Sequence, residues 1–368
     1  MSLFALYLQD PAPDRERVME ALSGNLCRCT GYRPIIDAGV QMGGYPAPVR
    51  WSRAACSDPS NCEGLRSIRR RQESLRLPGF FAPRSADELA AELETSPGSL
   101  VLAGGTDIGL WVTKQLRELP PIVYVGAIAE LKRIRRDAAR LEIGAAVSLT
   151  DAWSELVDVF PTLAEMAQRF GSPPVRNSGT LCGNLANGSP IGDSLPVLIA
   201  LDAELLLRRG GRVRNVPLEE FYLGYQRTAL EVGEFVVAVR VPTHTSGWIS
   251  AYKVAKRFDQ DISALSAAFA VRVEAGRVMA ARIAFGGMAA VAKRAAAVEH
   301  ALIGADWNES TIDAAVEKLA EDFKPLTDMR ASSAYRLQSA GNLIRRFYFE
   351  HSGVAEPTRT AAVVAAPA

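Results

Sequence analysis

The stretch LVLAGGTDIGLWV, Leu100 to Val112, decides the fold. Leu100–Ala103 reads as a short buried strand, Gly104-Gly105 as a tight turn, and the residues after Asp107 as the start of a helix. A glycine pair permits positive φ and lets a phosphate approach the backbone closely. The N–H groups that follow can hold such an anion without a formal positive charge. The spacing is not GxGxxG, so the ordinary dinucleotide fingerprint does not apply. A Gly-Gly turn between strand and helix is also an everyday structural device, and this segment alone leaves both readings open.

Working outward, the flanks predict an α+β chain. Ser85 caps an amphipathic helix running to about Glu94. Ile122–Val125 is a second buried strand, and Lys132–Asp137 with Arg140–Val147 alternates as a hairpin before a helix capped by Thr150-Asp151. A further hairpin spans 203–216, turning at Gly210-Gly211. From Trp248 the pattern changes to two long strands, Ala267–Glu274 and Arg277–Phe285, followed by helical stretches near 293–303, 309–323 and 330–350. Residues 1–44 are helical in pattern. Residues 45–77, with Pro46, Pro48, Pro59 and the run Arg69-Arg70-Arg71, lack apolar periodicity and read as an extended linker. The domains are then 1–44, 78–247 and 248–352, with a disordered tail over 353–368.

Composition narrows the class. A chain of 368 residues exceeds one comfortable core. Its 48% hydrophobic and 23% charged residues are those of a soluble globular protein. A net charge of +1 makes no case for nucleic acid or an anionic membrane. No apolar run reaches the ~18 residues of a membrane span, and the N-terminus lacks the basic region of a signal peptide. Five unevenly spaced cysteines point to a reducing, cytoplasmic setting with metal or redox roles.

A second informative segment is FGSPPVRNSGTLCGNLANGSPIGDSLP, Phe170 to Pro196, with five glycines among several Asn and Ser residues and no regular period. So many small polar residues in mid-chain are the composition of a wall around a polar ligand, although they also dominate surface loops. AGGTD at 103–107, RNSGTLCGN at 176–184 and SPIGD at 189–193 resemble the FAD-binding domain of xanthine dehydrogenases. KVAKRFDQDIS at 253–263 is similar to the strand and loop that this family places beside the flavin, and RASSAYR at 330–336 to its C-terminal helical signature.

The resemblance implies a PCMH-type α+β FAD-binding domain over 78–247 and a sheet-plus-helix domain like that of CO dehydrogenase flavoproteins over 248–352. Carried over residue by residue, it implies that Val101, Leu102, Ala103, Gly104, Gly105, Thr106, Asp107 and Ile108 wrap the FAD pyrophosphate. Thr180, Gly183 and Asn184 would line the same ligand, and Asp193 would hold one of its polar groups. Lys253 would lie near the flavin ring, Phe170 beside the isoalloxazine, and Val236 in apolar contact. Cys182 stands where the family's motif has glycine and reads as a small buried residue rather than a redox group.

ALSGNLCRCTGYRPI, 21–35, carries Cys27 and Cys29 one residue apart. CxC alone is open to chance or to half of a zinc site, whereas a [2Fe–2S] centre takes four thiolates in most proteins. The longer string GNLCRCTGYRP resembles the all-helical [2Fe–2S] domain of the same hydroxylase family, so 1–44 is expected to be the remnant of that domain. There the other two ligands lie in a CxxC just before the helix that opens here at Met1, so the resemblance implies an incomplete cluster site and a missing N-terminus. Cys56 and Cys62, in the linker, are poor substitutes.

The resemblance therefore implies a xanthine dehydrogenase subunit. Electrons from xanthine or hypoxanthine would leave a molybdenum cofactor on a partner large subunit, cross [2Fe–2S] clusters to FAD and reduce NAD⁺, in a heterotetramer with two copies of each chain. Carbon monoxide, nicotinate or aldehyde hydroxylases keep the same fold with another substrate, and a non-catalytic scaffold is the third alternative. His244, His300 and His351 fall in no motif, so a His-based triad or zinc site has no support. No catalytic residue for the hydroxylation is identifiable on this chain.

Overall fold

A computed structural model describes residues 1–27, 29–46, 73–244, 247–258 and 260–353. Three short helices come first: α1 (Ser2–Gln9), α2 (Arg15–Leu22) and α3 (Arg33–Gln41). Asp14 caps α2 by accepting from the Arg17 N–H at 2.8 Å, and Leu6 and Val18 are buried where the helices meet. Most of the expected linker, and with it Cys56, Cys62 and the arginine run, lies outside the described residues, as does the tail from residue 354.

The linker reading fails at its C-terminal end. Leu75–Leu77 forms strand β1, antiparallel to β2 (Phe80–Ala82), because the turn at Gly79 folds the two together. The sheet continues in the order β1-β2-β4-β3, with β3 (Leu100–Leu102) and β4 (Ile122–Tyr124) parallel. Helix α4 (Ala86–Thr95) supplies the crossover, its N-cap Ser85 accepting from the Glu88 N–H at 3.1 Å. Helix α5 (Ile108–Thr113) follows the glycine turn.

A second, antiparallel sheet runs β5-β6-β11-β7-β8 through β5 (Ile134–Arg136), β6 (Arg140–Gly144), β7 (Glu204–Arg209), β8 (Arg212–Pro217) and β11 (Phe235–Pro242). A small ribbon, β9 (Tyr222–Gly224) and β10 (Arg227–Thr228), precedes β11. Between β6 and β7 lie α6 (Leu149–Val159), α7 (Ala164–Gln168), α8 (Pro173–Ser178), α9 (Leu181–Asn187) and α10 (Ser194–Ala200); α11 (Leu218–Phe221) follows β8. Ser148, not the Thr150-Asp151 pair, caps α6: its hydroxyl accepts from the Asp151 N–H at 3.1 Å, which places Thr150 inside the first turn.

The aperiodic segment 170–196 also differs from a plain loop. It holds α8, α9 and the start of α10, each too short to display a 3.6-residue period and each set off by a turn at Gly179, Gly188 or Gly192.

Strands β12 (Trp248–Val254), β13 (Leu265–Glu274), β14 (Arg277–Gly286) and β15 (Lys293–Arg294) make the third sheet. Helices α12 (Ala296–Leu302), α13 (Glu309–Glu317), α14 (Leu319–Asp322) and α15 (Ser333–His351) cover one face; the expected helix 309–323 is broken at Lys318. Strand alternation gives the sheet two buried faces. Tyr252, Phe269, Ile283 and Phe285 point into the C-terminal core with Phe323, Ile344 and Phe347. Ala251, Ala268 and Ala284 stand in register across β12, β13 and β14 and join the core of the preceding domain. Such small side chains let α10 approach closely, and all seven residues of that helix are buried. A helix apolar all round belongs between two layers, and this one joins the two domains. Among the described residues no helix is long and apolar enough to cross a membrane.

Candidate functional site

A cleft of about 1020 Å³ opens where these layers meet. That matches the upper end of the roughly 300–1,000 Å³ typical of small-molecule and cofactor sites. The β3–α5 turn forms one wall, the Phe170–Asp193 segment another, the start of β11 a third, and β12 with the loop at 260–263 the floor. Of the residues expected at a flavin, Val101, Ala103, Gly104, Gly105, Thr106, Asp107, Ile108, Phe170, Thr180, Gly183, Asn184, Asp193, Val236 and Lys253 all border this one space. Leu102 does not, since it pairs with Tyr124 inside the sheet and its neighbours on the strand take the cleft side.

The turn is built for close approach. A Cβ on Gly104 would collide with the Ser178 carbonyl oxygen and lie 2.6 Å from the Gly179 Cα, so the two glycine-containing segments touch backbone to backbone. Gly105 takes φ +71°, the left-handed region open to glycine. Among the described residues no acceptor takes the backbone N–H groups of Gly105, Thr106, Asp107 or Ile108, and α5 has no side-chain cap. A row of unpaired N–H groups bordering a cleft is the donor set an anion such as a pyrophosphate needs. Opposite, Thr180 caps α9, its hydroxyl accepting from the Gly183 N–H at 3.0 Å, and the Asn184 side-chain oxygen accepts from the Ser194 hydroxyl.

The floor carries a buried ion pair. Lys253 Nζ lies 2.7 Å from Asp193 Oδ2, with side chains 4% and 8% exposed, and the Ser263 hydroxyl donates to Asp193 Oδ1 at 2.5 Å. Asp193 comes from the start of α10, Lys253 from β12 and Ser263 from the following loop, so the pair ties three elements together at the site. Phe170 is buried and its ring packs 5.6 Å from that of Trp153 at 46°. Burial pushes the Cys182 thiol up to about 12, which makes it an inert packing residue at neutral pH. Among the described residues no histidine borders the cleft.

Sequence reasoning passed over Ser263, Arg169 and Arg176. Arg169 donates from Nη1 to the Lys253 carbonyl and from Nε to the Phe258 carbonyl, both at 2.8 Å, and so fixes the strand and loop below the cleft. The available signal was an arginine next to Phe170, which by itself reads as surface. Across the cleft, Glu234 is held by Arg214 through two bonds of 2.7 and 2.8 Å.

Cys27 and Cys29 lie in the loop between α2 and α3 and are not among the residues that border this cleft. The Cys29 N–H and the Thr30 hydroxyl donate to Cys27 Sγ at 3.4 and 3.6 Å. These bonds, the Thr30 hydroxyl first, hold the Cys27 thiol below its ordinary value. Among the described residues no group of three or more His, Cys, Asp or Glu side chains converges around these two thiols.

Comparison with known proteins agrees with this geometry. Residues 71–244 match the FAD binding domain in molybdopterin dehydrogenase, 250–351 the CO dehydrogenase flavoprotein C-terminal domain, and 1–40 a [2Fe-2S] binding domain. A xanthine dehydrogenase of Emericella nidulans is 27% identical over 95% of this chain, and a nicotinate hydroxylase of the same organism 27% over 89%. The chain spans only 30% and 32% of those two proteins. The carbon monoxide dehydrogenase medium chain of Hydrogenophaga pseudoflava is 30% identical over 73% of this chain and 94% of its own length. A solved structure of carbon monoxide dehydrogenase from that organism superposes with a TM-score of 0.67 at 32% identity, over 73% of this chain and 94% of that one. With its three layers, its glycine-lined cleft and its N-terminal match to a [2Fe-2S] binding domain, the chain belongs to the FAD-binding flavoprotein family of the molybdenum hydroxylases.

Proposed function

We propose that this chain is the FAD-carrying electron-transfer subunit of a xanthine dehydrogenase. The observation that carries flavin binding is the cleft itself, in which unpaired N–H groups at Gly105–Ile108 face small polar residues at Thr180–Asn184 with a buried Lys253–Asp193 pair on the floor. Bound FAD supplies the redox chemistry, exchanging electrons singly or in pairs. The chain's own residues bind and orient it. The β3–α5 turn holds the pyrophosphate by hydrogen bonds, while Phe170, Val236 and Ala103 give the rings an apolar border. Lys253, paired with Asp193, would offer its ammonium to a polar group of the cofactor without a net buried charge. Substrate oxidation is assigned to a molybdenum cofactor on a partner large subunit, with NAD⁺ as the final acceptor.

Xanthine is favoured as the complex's substrate because the similarity to the E. nidulans xanthine dehydrogenase runs through the helical unit as well as the flavin domain. A nicotinate hydroxylase is matched almost as extensively, so nicotinate is the second reading. The apo-protein should turn yellow with one equivalent of FAD and be bleached by NADH without oxygen. A chain that stays colourless in excess FAD overturns the flavin reading and fits a scaffold. Copurification with a molybdenum subunit, then assay on xanthine and nicotinate, decides between the two substrates.

A further inference from the structure

Arg176, in α8, is almost fully buried, with 9% of its side chain exposed. Its Nη1 donates to the carbonyls of Gln168 (3.3 Å), Phe170 (3.2 Å) and Gly171 (3.1 Å), the last two belonging to residues that border the cleft. Its Nη2 donates to Glu20 Oε1 at 3.3 Å, and Glu20 belongs to α2 of the N-terminal helical unit. Two further contacts flank this one. Gln168 Nε2 donates to Glu16 Oε1 at 3.2 Å, and Gly24 packs so tightly on Pro174 that a Cβ there would lie 2.6 Å from the proline ring. Phe170, Gly171, Ser172 and Val175, which the guanidinium and Pro174 hold from behind, border the cleft from within.

We propose that docking of the N-terminal helical unit shapes the flavin-binding wall through Arg176, a positioning residue, so that docking and FAD binding favour each other. The inference rests on the FAD reading above. Carbonyl dipoles stabilise a buried guanidinium incompletely, and Glu20 is a carboxylate partner supplied by the N-terminal helical unit. When α2 departs, the guanidinium seeks water, and the backbone from Gln168 to Gly171 that it anchors moves with it. That shift displaces the Phe170 and Ser172 edges of the cleft although no residue contacting the ligand has changed. Linkage makes the effect reciprocal, since a wall already ordered by FAD offers α2 a better seat.

Two variants outside the cleft test this on the full chain. Glu20→Gln keeps the shape of the contact and removes its charge, whereas Gly24→Val leaves charge alone and blocks the approach to Pro174. Hydrogen exchange of 168–176 and of 15–24 is followed with and without FAD, alongside FAD affinity from flavin fluorescence, with exchange in 265–286 as the folding control. Both variants should speed exchange of 168–176 and weaken FAD binding about tenfold, within the usual span for coupled sites. In the unmodified chain FAD should slow exchange of 15–24, and in Glu20→Gln that protection should vanish. A purely structural Arg176 would not produce this reciprocity. If the unmodified chain binds FAD while both variants stay within about twofold of it, the coupling is wrong. If the unmodified chain binds no FAD, the flavin reading itself has failed and the cooperativity falls with it.

Discussion

Lys253→Met removes the cation of the buried pair on the cleft floor with little change of volume, and leaves Asp193 Oδ2 facing no positive charge. The ion pair is 2.7 Å long with both side chains over nine-tenths buried, so neither charge is well hydrated. Removing one partner of such a pair costs about 3–5 kcal/mol. The Ser263 hydroxyl still donates to Asp193 Oδ1, which puts the expected loss near the lower end, about 3 kcal/mol. The triple variant Lys253→Met, Asp193→Leu, Ser263→Ala removes both charges and the hydroxyl that would be stranded. It should return to within about 1 kcal/mol of the unmodified chain, because apolar packing replaces a buried pair at little net cost. Urea unfolding of the FAD-free protein, followed by tryptophan fluorescence and by hydrogen exchange in β12, measures both losses. FAD affinity should fall in both variants, since each removes the Lys253 ammonium that borders the cleft. A single variant that loses under about 1 kcal/mol, or a triple variant as unstable as the single one, would refute the reasoning by showing a hydrated floor.

Gly104→Ala forces a methyl group into the Ser178 carbonyl; it should destabilise the flavin domain by at least ~1–3 kcal/mol and abolish FAD binding by fluorescence titration, with exchange in β13 and β14 unchanged. For Glu234, burial alone would raise the carboxyl, but the Arg214 guanidinium and the Glu231 N–H outweigh it and hold the value below the usual range. Its stabilisation is thus complete above the unfolded value of about pH 4.3 and is lost as pH falls through the lower folded value. Glu234→Gln should cost about 1.5–3 kcal/mol at neutral pH and flatten the acid limb of a stability–pH curve measured by urea unfolding; an unchanged limb would count against the pair. Iodoacetamide near neutral pH should label Cys27 and spare Cys182 in the folded chain, as peptide mass spectrometry would show. Thr30→Val should slow labelling of Cys27, since it removes the largest cause of its lowered value.

Several elements were legible because their signals are local. The Ser85 cap, the Gly210-Gly211 hairpin and the strand–glycine–helix unit at 100–112 each sit in a few consecutive residues, and the structure has all three. The failures were equally local in cause. Strand β1 hid in a proline-rich stretch because three residues, LRL, are too few to show alternation. Helices α8 and α9 hid because six or seven residues cannot display a helical period among glycines and serines.

By itself, the amino-acid sequence determined the α+β class, the resemblance to molybdenum hydroxylase flavoproteins, and most of the short motifs that border the cleft. Backbone chemistry explains this, since glycine turns, caps and alternating strands are written in neighbouring residues. Only the tertiary structure decided how distant residues act together. It set Asp193 against Lys253 and Ser263 across 60 and 70 residues of chain. It bulged β11 between Val236 and Ala238 where the strand borders the cleft, and it brought Arg176 to Glu20 across 156 residues. Such pairings depend on which faces pack to exclude water, and no local pattern encodes that. The wall around the flavin space is therefore spelled in the sequence, whereas its charge balance and its link to the N-terminal helices emerge only on folding.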